Sequence, residues 1–329
     1  MTSSGSPFPP AAGARILSLG GYQPGNVVTN DDLAAQVQTS DEWIRSRVGI
    51  VSRRFAGPEE SVTDMAFEAG AKALAGSGLS PGDIDLVIVA TCSTEALIPN
   101  VSAVVAHRLG IVAPGAYDLN AACAGFCYAM ANASDAIRAG TARHVLVIGS
   151  EKMTAWVDPT DRSTSIIFAD GAGAAVVGPV ADGEPPGIGP VAWGSAGDLA
   201  EKIIIADRNS FLQQEGQAVF RWATTRVAPV ALRAVELAGL SLTDIDVLVP
   251  HQANLRIVEA VAKRLRSKGA RADLRVADDI VHSGNTSSAS IPLALDHMRA
   301  QGRLQSGETV LLVGFGAGLS YAAQVVVCP

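Results

Sequence analysis

The chain has 329 residues, 48 % of them hydrophobic and 17 % charged, with 33 glycines and 17 prolines spread along its length. A chain of this size buries roughly three quarters of its unfolded surface, which excludes disorder, collagen-like repeats and coiled coil, and makes disulfides or a structural metal unnecessary. The net charge of −7, from 25 basic and 32 acidic side chains, excludes a protein whose whole surface is basic and made for nucleic acid.

Residues 1–14 are rich in Ser, Pro, Ala and Gly and lack a basic segment followed by an apolar one, so they read as a flexible arm and not as a signal peptide. No run reaches the ~18 apolar residues of a membrane span. Further along, residues 66–75 read as an Ala-rich helix, 86–90 as a buried strand and 102–109 as a helix; 116–119 is strand-like and 126–138 helical. After a joint at 180–190 (VADGEPPGIGP), residues 227–238, 247–249 and 255–266 fill the same helix, strand and helix slots.

The chain contains itself twice. Residues 79–89 (LSPGDIDLVIV) reappear at 240–249 (LSLTDIDVLV), 161 positions on, and 145–149 (VLVIG) at 310–314 (VLLVG), 165 positions on. Two α/β halves related by a pseudo-twofold axis, over 15–179 and 180–329, each offer strand ends to one central site.

The four cysteines, at 92, 123, 127 and 328, lack paired C-x-x-C spacing, so they suggest neither a zinc site nor a secreted framework, and a reducing cytoplasm is the expected home. Cys123, in DLNAACAGF (118–126), falls between a strand and a helix, where the helix N-terminus favours thiolate and its small neighbours admit a substrate. A small buried filler is the bland alternative, and Cys127 and Cys328 are assigned to it. His251, in VPHQANLRI (249–257), follows the second half's buried strand; His107, His144, His282 and His297 read as surface or structural. Asn285, in VHSGNTSSAS (281–290), lies 162 positions after Cys123, so the twofold should bring the two together, although alone it could be a turn or cap residue. The turn in VGFGAGLSYA (313–322) can aim backbone N–H groups inward as an oxyanion hole does, and no G-K-[ST] follows to make it a phosphate loop.

On these segments the chain resembles β-ketoacyl-ACP synthase III, the initiating condensing enzyme of the thiolase-like superfamily, from about residue 15 to 327. The resemblance implies a layered αβαβα thiolase-like fold. It further implies that Cys123 is acylated from acyl-CoA, that His251 and Asn285 promote decarboxylation of malonyl-ACP, and that backbone at Cys123, Gly316 and Ala317 forms the oxyanion hole, with Ala317 where Gly is more usual. Trp43 in TSDEWIRSRVGI (39–50) and Arg162 in DPTDRSTSIIFADGAG (158–173) would flank the CoA adenine. Arg221, Arg256, Lys263 and Arg264 match the docking surface for acyl carrier protein, although a solvated helix face is the simpler reading of such residues. A homodimer is implied, and no cofactor, metal, nucleic acid or membrane.

Four residues, Cys92, Ile98, Phe168 and Phe315, are assigned to the acyl pocket; Ile98 matches the residue that family dimers insert into the partner's pocket, and its size should admit branched or longer primers. The segment 197–220 looks shorter than the family's loop. Glu95 matches a region where some superfamily members carry a basic glutamate, although a surface carboxylate is the simpler reading. Alternatives to decarboxylating condensation are acyl transfer to a carrier thiol, hydroxyl or amine, and a non-catalytic scaffold; a degradative thiolase needs a second cysteine that GFGAG lacks.

Overall fold

The structure, a computed structural model, describes Phe8 and residues 10–329. The arm expected over 1–14 lies largely outside the described residues, and where it is described it is not loose. Ala11 packs on the core, the Gly13 carbonyl accepts the Val180 N–H at 3.1 Å, and Ala14 opens the first strand.

The first half runs β1 (Ala14–Tyr22), α1 (Asp41–Val48), α2 (Val62–Ser77), β2 (Leu86–Ala90), α3 (Val101–Arg108), β3 (Gly115–Leu119), α4 (Gly125–Arg138), β4 (Val145–Lys152) and β5 (Asp170–Pro179). The second runs β6 (Ala192–Gly194), α5 (Gly216–Leu237), β7 (Val247–Pro250), α6 (Leu255–Ser267), β8 (Arg275–Val276), α7 (Ser290–Ala300), β9 (Thr309–Phe315) and β10 (Tyr321–Val327).

One sheet has the order β1-β5-β4-β2-β3 and the other β6-β10-β9-β7-β8. In each, the three strands at one side are parallel and the other two join antiparallel, so the topologies are the same. Strands covered on both faces need no polar side, which is why β2 and β7 are continuous apolar runs. Helices α4 and α7 lie between the sheets in one core with residues of both. Helices α2 and α3 cover the outer face of the first sheet, and α5 and α6 that of the second, giving five layers.

The repeated D-I-D motif has a physical job in each half. Asp83 and Asp244 cap one-turn helices with Ser80 and Ser241. Asp85 accepts N–H groups of Arg143 and His144 at 2.8 and 3.0 Å, and Asp246 that of Thr309 at 2.9 Å, so each pins the entry to the neighbouring strand.

Candidate active site

Cys123 lies in a one-turn helix, Ala122–Ala124, between the end of β3 and the start of α4. Ala122 is held at φ 45°, a left-handed conformation costly for a residue with a side chain, and the N–H of Ala122 is taken by Asn120 Oδ1 at 3.1 Å. The expectation of a favoured thiolate is corrected here. Burial pushes the Cys123 thiol up to about 12, the neighbouring Ser287 hydroxyl opposes this, and the Glu151 charge reinforces it. The Cys127 sulfur is buried in the core, and burial raises it to about 12 as well.

His251 follows β7 directly, with its N–H on the Val313 carbonyl at 2.8 Å. Its ring meets Phe315 edge-on, with centroids 5.2 Å apart, and burial drives its pKa down to about 3, so it is neutral. Nδ1 lies 2.7 Å from Ser290 Oγ, which also accepts the Gln252 N–H at 3.2 Å. The arrangement that uses every hydrogen has Ser290 donating to Nδ1, which leaves Nε2–H as the outward donor.

Asn285 is gripped through its backbone: its N–H donates to Ile167 O and its carbonyl accepts the Ala169 N–H, both at 2.9 Å. Its Oδ1 accepts the Ser287 N–H at 2.9 Å, so the carboxamide presents its NH₂ to the cavity that Asn285 lines. Cys123 and Asn285 line the same cavity, but they are not symmetry counterparts. The one-turn helices 122–124 and 287–289 correspond, with φ 45° at Ala122 and 49° at Ser287, and α4 and α7 both begin 165 residues apart. Asn285 therefore answers Asn120, and Ser288 answers Cys123. The second half carries four extra residues between β7 and this turn, so the offset of 162 that pairs Cys123 with Asn285 falls three residues short.

The turn after β9 touches the nucleophile. A Cβ on Gly316 would stand 2.7 Å from Cys123 N, and Gly318 takes φ 69°. Gly316 N–H donates to Ser320 O at 2.9 Å and cannot serve an oxyanion, which corrects its assignment; Ala317, opening the one-turn helix 317–319, has no such bond from its N–H among the described residues.

The cavity, about 790 Å³, is lined by Cys123, His251, Asn285, Cys92, Phe168 and Phe315 among others. Cys92 and Phe168 join Met153, Val157 and Leu212 in an apolar cluster beside it. Ile203, Ile204, Ile205, Leu212, Val219 and Phe220 line another wall. Ile98 does not line the cavity of its own chain; it stands 84 % exposed beside Leu97, also exposed. Glu95 lies outside the lining, and its carboxylate accepts the Val62 N–H at 2.9 Å at the start of α2.

Trp43 and Arg162 are brought together more tightly than a shared adenine site allows. The guanidinium lies 4.7 Å from the ring centroid, with Nη1 on the Gln38 carbonyl at 3.0 Å, so no base fits between them until Arg162 swings away. Arg221 lines the mouth; Lys263 and Arg264 are exposed on α6, and Arg256 pairs with Glu259 at 3.0 Å. The buried faces of α6, Ile257, Val258, Val261, Ala262 and Leu265, force those cations outward. No helix among the described residues is long and apolar enough to cross a membrane.

Sequence reasoning missed Ser290, which orients His251, and Glu151 and Ser287, which flank Cys123. Their signals were weak: an acid one residue before the end of a mostly apolar strand, and serines in a serine-rich turn.

Two sheets of one topology, packed through paired central helices, define the thiolase-like class, and the thiol lining their shared cavity suits a transferase of the condensing type. The family profile described as 3-Oxoacyl-[acyl-carrier-protein (ACP)] synthase III matches residues 117–197, and its C-terminal counterpart residues 235–328. The chain is 53 % identical over 317 residues to beta-ketoacyl-[acyl-carrier-protein] synthase III 4 of Streptomyces coelicolor, covering 96 % of this chain and 99 % of that one. It is 49 % identical to the mycobacterial beta-ketoacyl-[acyl-carrier-protein] synthase III of Mycobacterium avium, over 95 % of each. Among solved structures, the priming β-ketosynthase of the R1128 polyketide pathway superposes with TM-score 0.92 at 42 % identity over 98 % of both chains. The enzyme from Pseudomonas aeruginosa does so with TM-score 0.90 at 38 % identity, over 96 % of this chain and 98 % of that one. The chain belongs to the β-ketoacyl-ACP synthase III family.

Proposed function

We propose that this chain initiates fatty-acid or polyketide synthesis by decarboxylating Claisen condensation of an acyl-CoA primer with malonyl-ACP. The observation that carries the reading is the convergence of Cys123, His251 and Asn285 on one largely apolar cavity. Cys123 attacks the acyl thioester, forming the acyl-cysteine and releasing CoA thiol. Malonyl-ACP then loses CO₂, and its enolate oxygen is held by His251 Nε2–H and the Asn285 NH₂. The enolate carbon attacks the acyl-cysteine, the resulting tetrahedral oxyanion meets the N–H groups of Cys123 and Ala317, and its collapse breaks the C–Sγ bond, releasing β-ketoacyl-ACP and a Cys123 thiolate that takes one proton from solvent. Neutrality of His251 supports this, since a donor and not a base is needed.

The same proposal divides the chain into a nucleophile half over 15–179 and a His/Asn half over 180–329, and uses no cofactor beyond the CoA and carrier-protein substrates. Trp43 and Arg162 take the CoA, and the cations at 221, 256, 263 and 264 receive the acidic carrier. The exposed Leu97 and Ile98 support a homodimer, which works in the cytoplasm.

The test is intact mass after incubation with acetyl-, isobutyryl- and hexanoyl-CoA, followed by CO₂ release with malonyl-ACP. An adduct on Cys123 and CO₂ matching β-ketoacyl-ACP are expected. Acyl transfer without CO₂ would instead indicate simple acyl transfer, and absence of any adduct a non-catalytic scaffold.

A further inference from the structure

His251 and Asn285 serve one enolate oxygen, yet they are held from opposite sides. The backbone of Asn285 is bonded to Ile167 and Ala169 of the first half, whereas His251 follows β7 of the second. Gln252, next to His251, is fully buried and stands outside the cavity lining. Its Nε2 donates to the carbonyls of Pro250 at 2.7 Å and Ala277 at 3.3 Å, and its Oε1 accepts the Ile280 N–H at 3.0 Å. All three partners are backbone groups and cannot reverse roles. A carboxamide suits two carbonyls and one N–H; a carboxylate would face both carbonyls, and an apolar side chain would leave the buried Ile280 N–H without this partner.

The bond to Ile280 carries the argument. Ile280 opens the short helix Ile280–Ser283, whose cap residue, Asp279, makes no side-chain bond to that end; its carboxylate lies instead 2.7 Å from His297 Nδ1 on α7. The first N–H of the helix is therefore met from 28 residues away, by Gln252. The Ile280 carbonyl in turn accepts the Gly284 N–H at 3.1 Å, where the chain turns at φ 68° into Asn285. The other end of the bridge is fixed as well. Gln252 N–H donates to Ser290 Oγ, the hydroxyl that orients His251, and Ala277 N–H donates to Leu248 O of β7 at 2.9 Å.

We propose that Gln252 is a positioning residue for decarboxylation: its carboxamide ties the segment that presents Asn285 to the loop that presents His251, and so sets the distance between the two donors. It acts through those side chains and takes no part in acylation of Cys123. The inference rests on the condensing reading, in which both donors hold the enolate oxygen.

The test compares full-length wild type with Gln252→Met, which keeps the length of the side chain and loses its hydrogen bonds. Intact mass after incubation with acetyl-, isobutyryl- or hexanoyl-CoA reads acylation, and CO₂ trapped from malonyl-ACP reads decarboxylation. Acylation of Cys123 should persist within a few-fold, while kcat for CO₂ release falls about 10- to 100-fold, the cost of a shift of about 1 Å. In an Asn285→Ala background the same substitution should cost at most a few-fold, because the distance it sets no longer matters. Hydrogen exchange of the peptide covering residues 278–286 should quicken about tenfold in Gln252→Met. Equal losses of acylation and CO₂ release in folded protein, unchanged CO₂ release, or a full penalty in the Asn285→Ala background overturns the proposal. Should Gln252→Met fail to fold, Gln252→Asn, still polar but one methylene shorter, takes its place under the same outcomes. Wild type that releases no CO₂ would remove the condensing reading itself; exchange then decides alone, an unchanged rate at 278–286 overturning the tie and a faster one retaining it.

Discussion

Gly316 and Cys123 meet backbone to backbone: a Cβ on the glycine would lie 2.7 Å from the cysteine nitrogen and 2.9 Å from its Cβ. Both neighbours belong to rigid elements, the turn after β9 and the strained turn before α4, so neither yields cheaply. Gly316→Ala should displace the Ala317 N–H from the oxyanion position and lower kcat by about 10²- to 10³-fold, as loss of one such donor does. KM for acyl-CoA should change little. Steady-state kinetics beside a thermal melt separates this from simple unfolding.

Asn285→Ala should split the two chemical steps. The variant removes the NH₂ donor to the enolate and also the Oδ1 that accepts the Ser287 N–H. Acylation of Cys123, which needs neither, should persist within a few-fold, while CO₂ release from malonyl-ACP falls by about 10²-fold or more. Stopped intact mass and trapped CO₂ measure the two steps independently.

Burial of neutral His251 makes a signed prediction about pH. Its folded pKa, about 3, lies below the ordinary 6.5, so the unfolded chain binds the extra proton as pH falls through 6.5 and the folded state does not. Stability is therefore lost on acidification, by about 2 kcal/mol at pH 5 from this residue. His297 acts oppositely, since its bond to Asp279 raises it and stabilises the acid side. Comparing urea midpoints at pH 7 and 5 for wild type and His251→Gln isolates the first effect: the variant should lose that part of the slope.

Stacking of the CoA adenine on Trp43, once Arg162 has swung away, predicts a penalty confined to the nucleotide end of CoA. Trp43→Ala should raise KM for acyl-CoA about three- to tenfold, the range of one cation–π or stacking contact, with kcat unchanged; Arg162→Ala, which also clears the ring face that Arg162 occupies, should raise it less. An acyl-pantetheine primer, which lacks the adenosine, should be used equally by wild type and variants. A matching loss with both primers would place these residues outside the nucleotide site.

Much of the architecture was readable along the chain. The apolar runs of β2, β7, β4 and β9 follow from strands covered on both faces, and the duplicated D-I-D motif announces two like halves. Local pattern also marks the turns that hold Cys123, His251 and Asn285, because small residues and glycines there reflect backbone conformations that a linear string can betray.

What depends on groups remote in sequence could not be read that way. The repeat offset drifts from 161 to 165, so only the matched turns at 122 and 287 reveal that Asn285 answers Asn120. A helix N-terminus suggested an acidic thiol, yet burial and Glu151 reverse the sign, since desolvation is set by everything packed around the sulfur. The buried Glu151 carboxylate accepts hydrogen bonds from residues 91–93 and 287–288, the contact of Arg162 with Trp43 joins two helices far apart in sequence, and each exists only once the sheets have packed. Periodicity is a property of a segment, whereas a hydrogen-bond network and a dielectric environment are properties of the assembled interior.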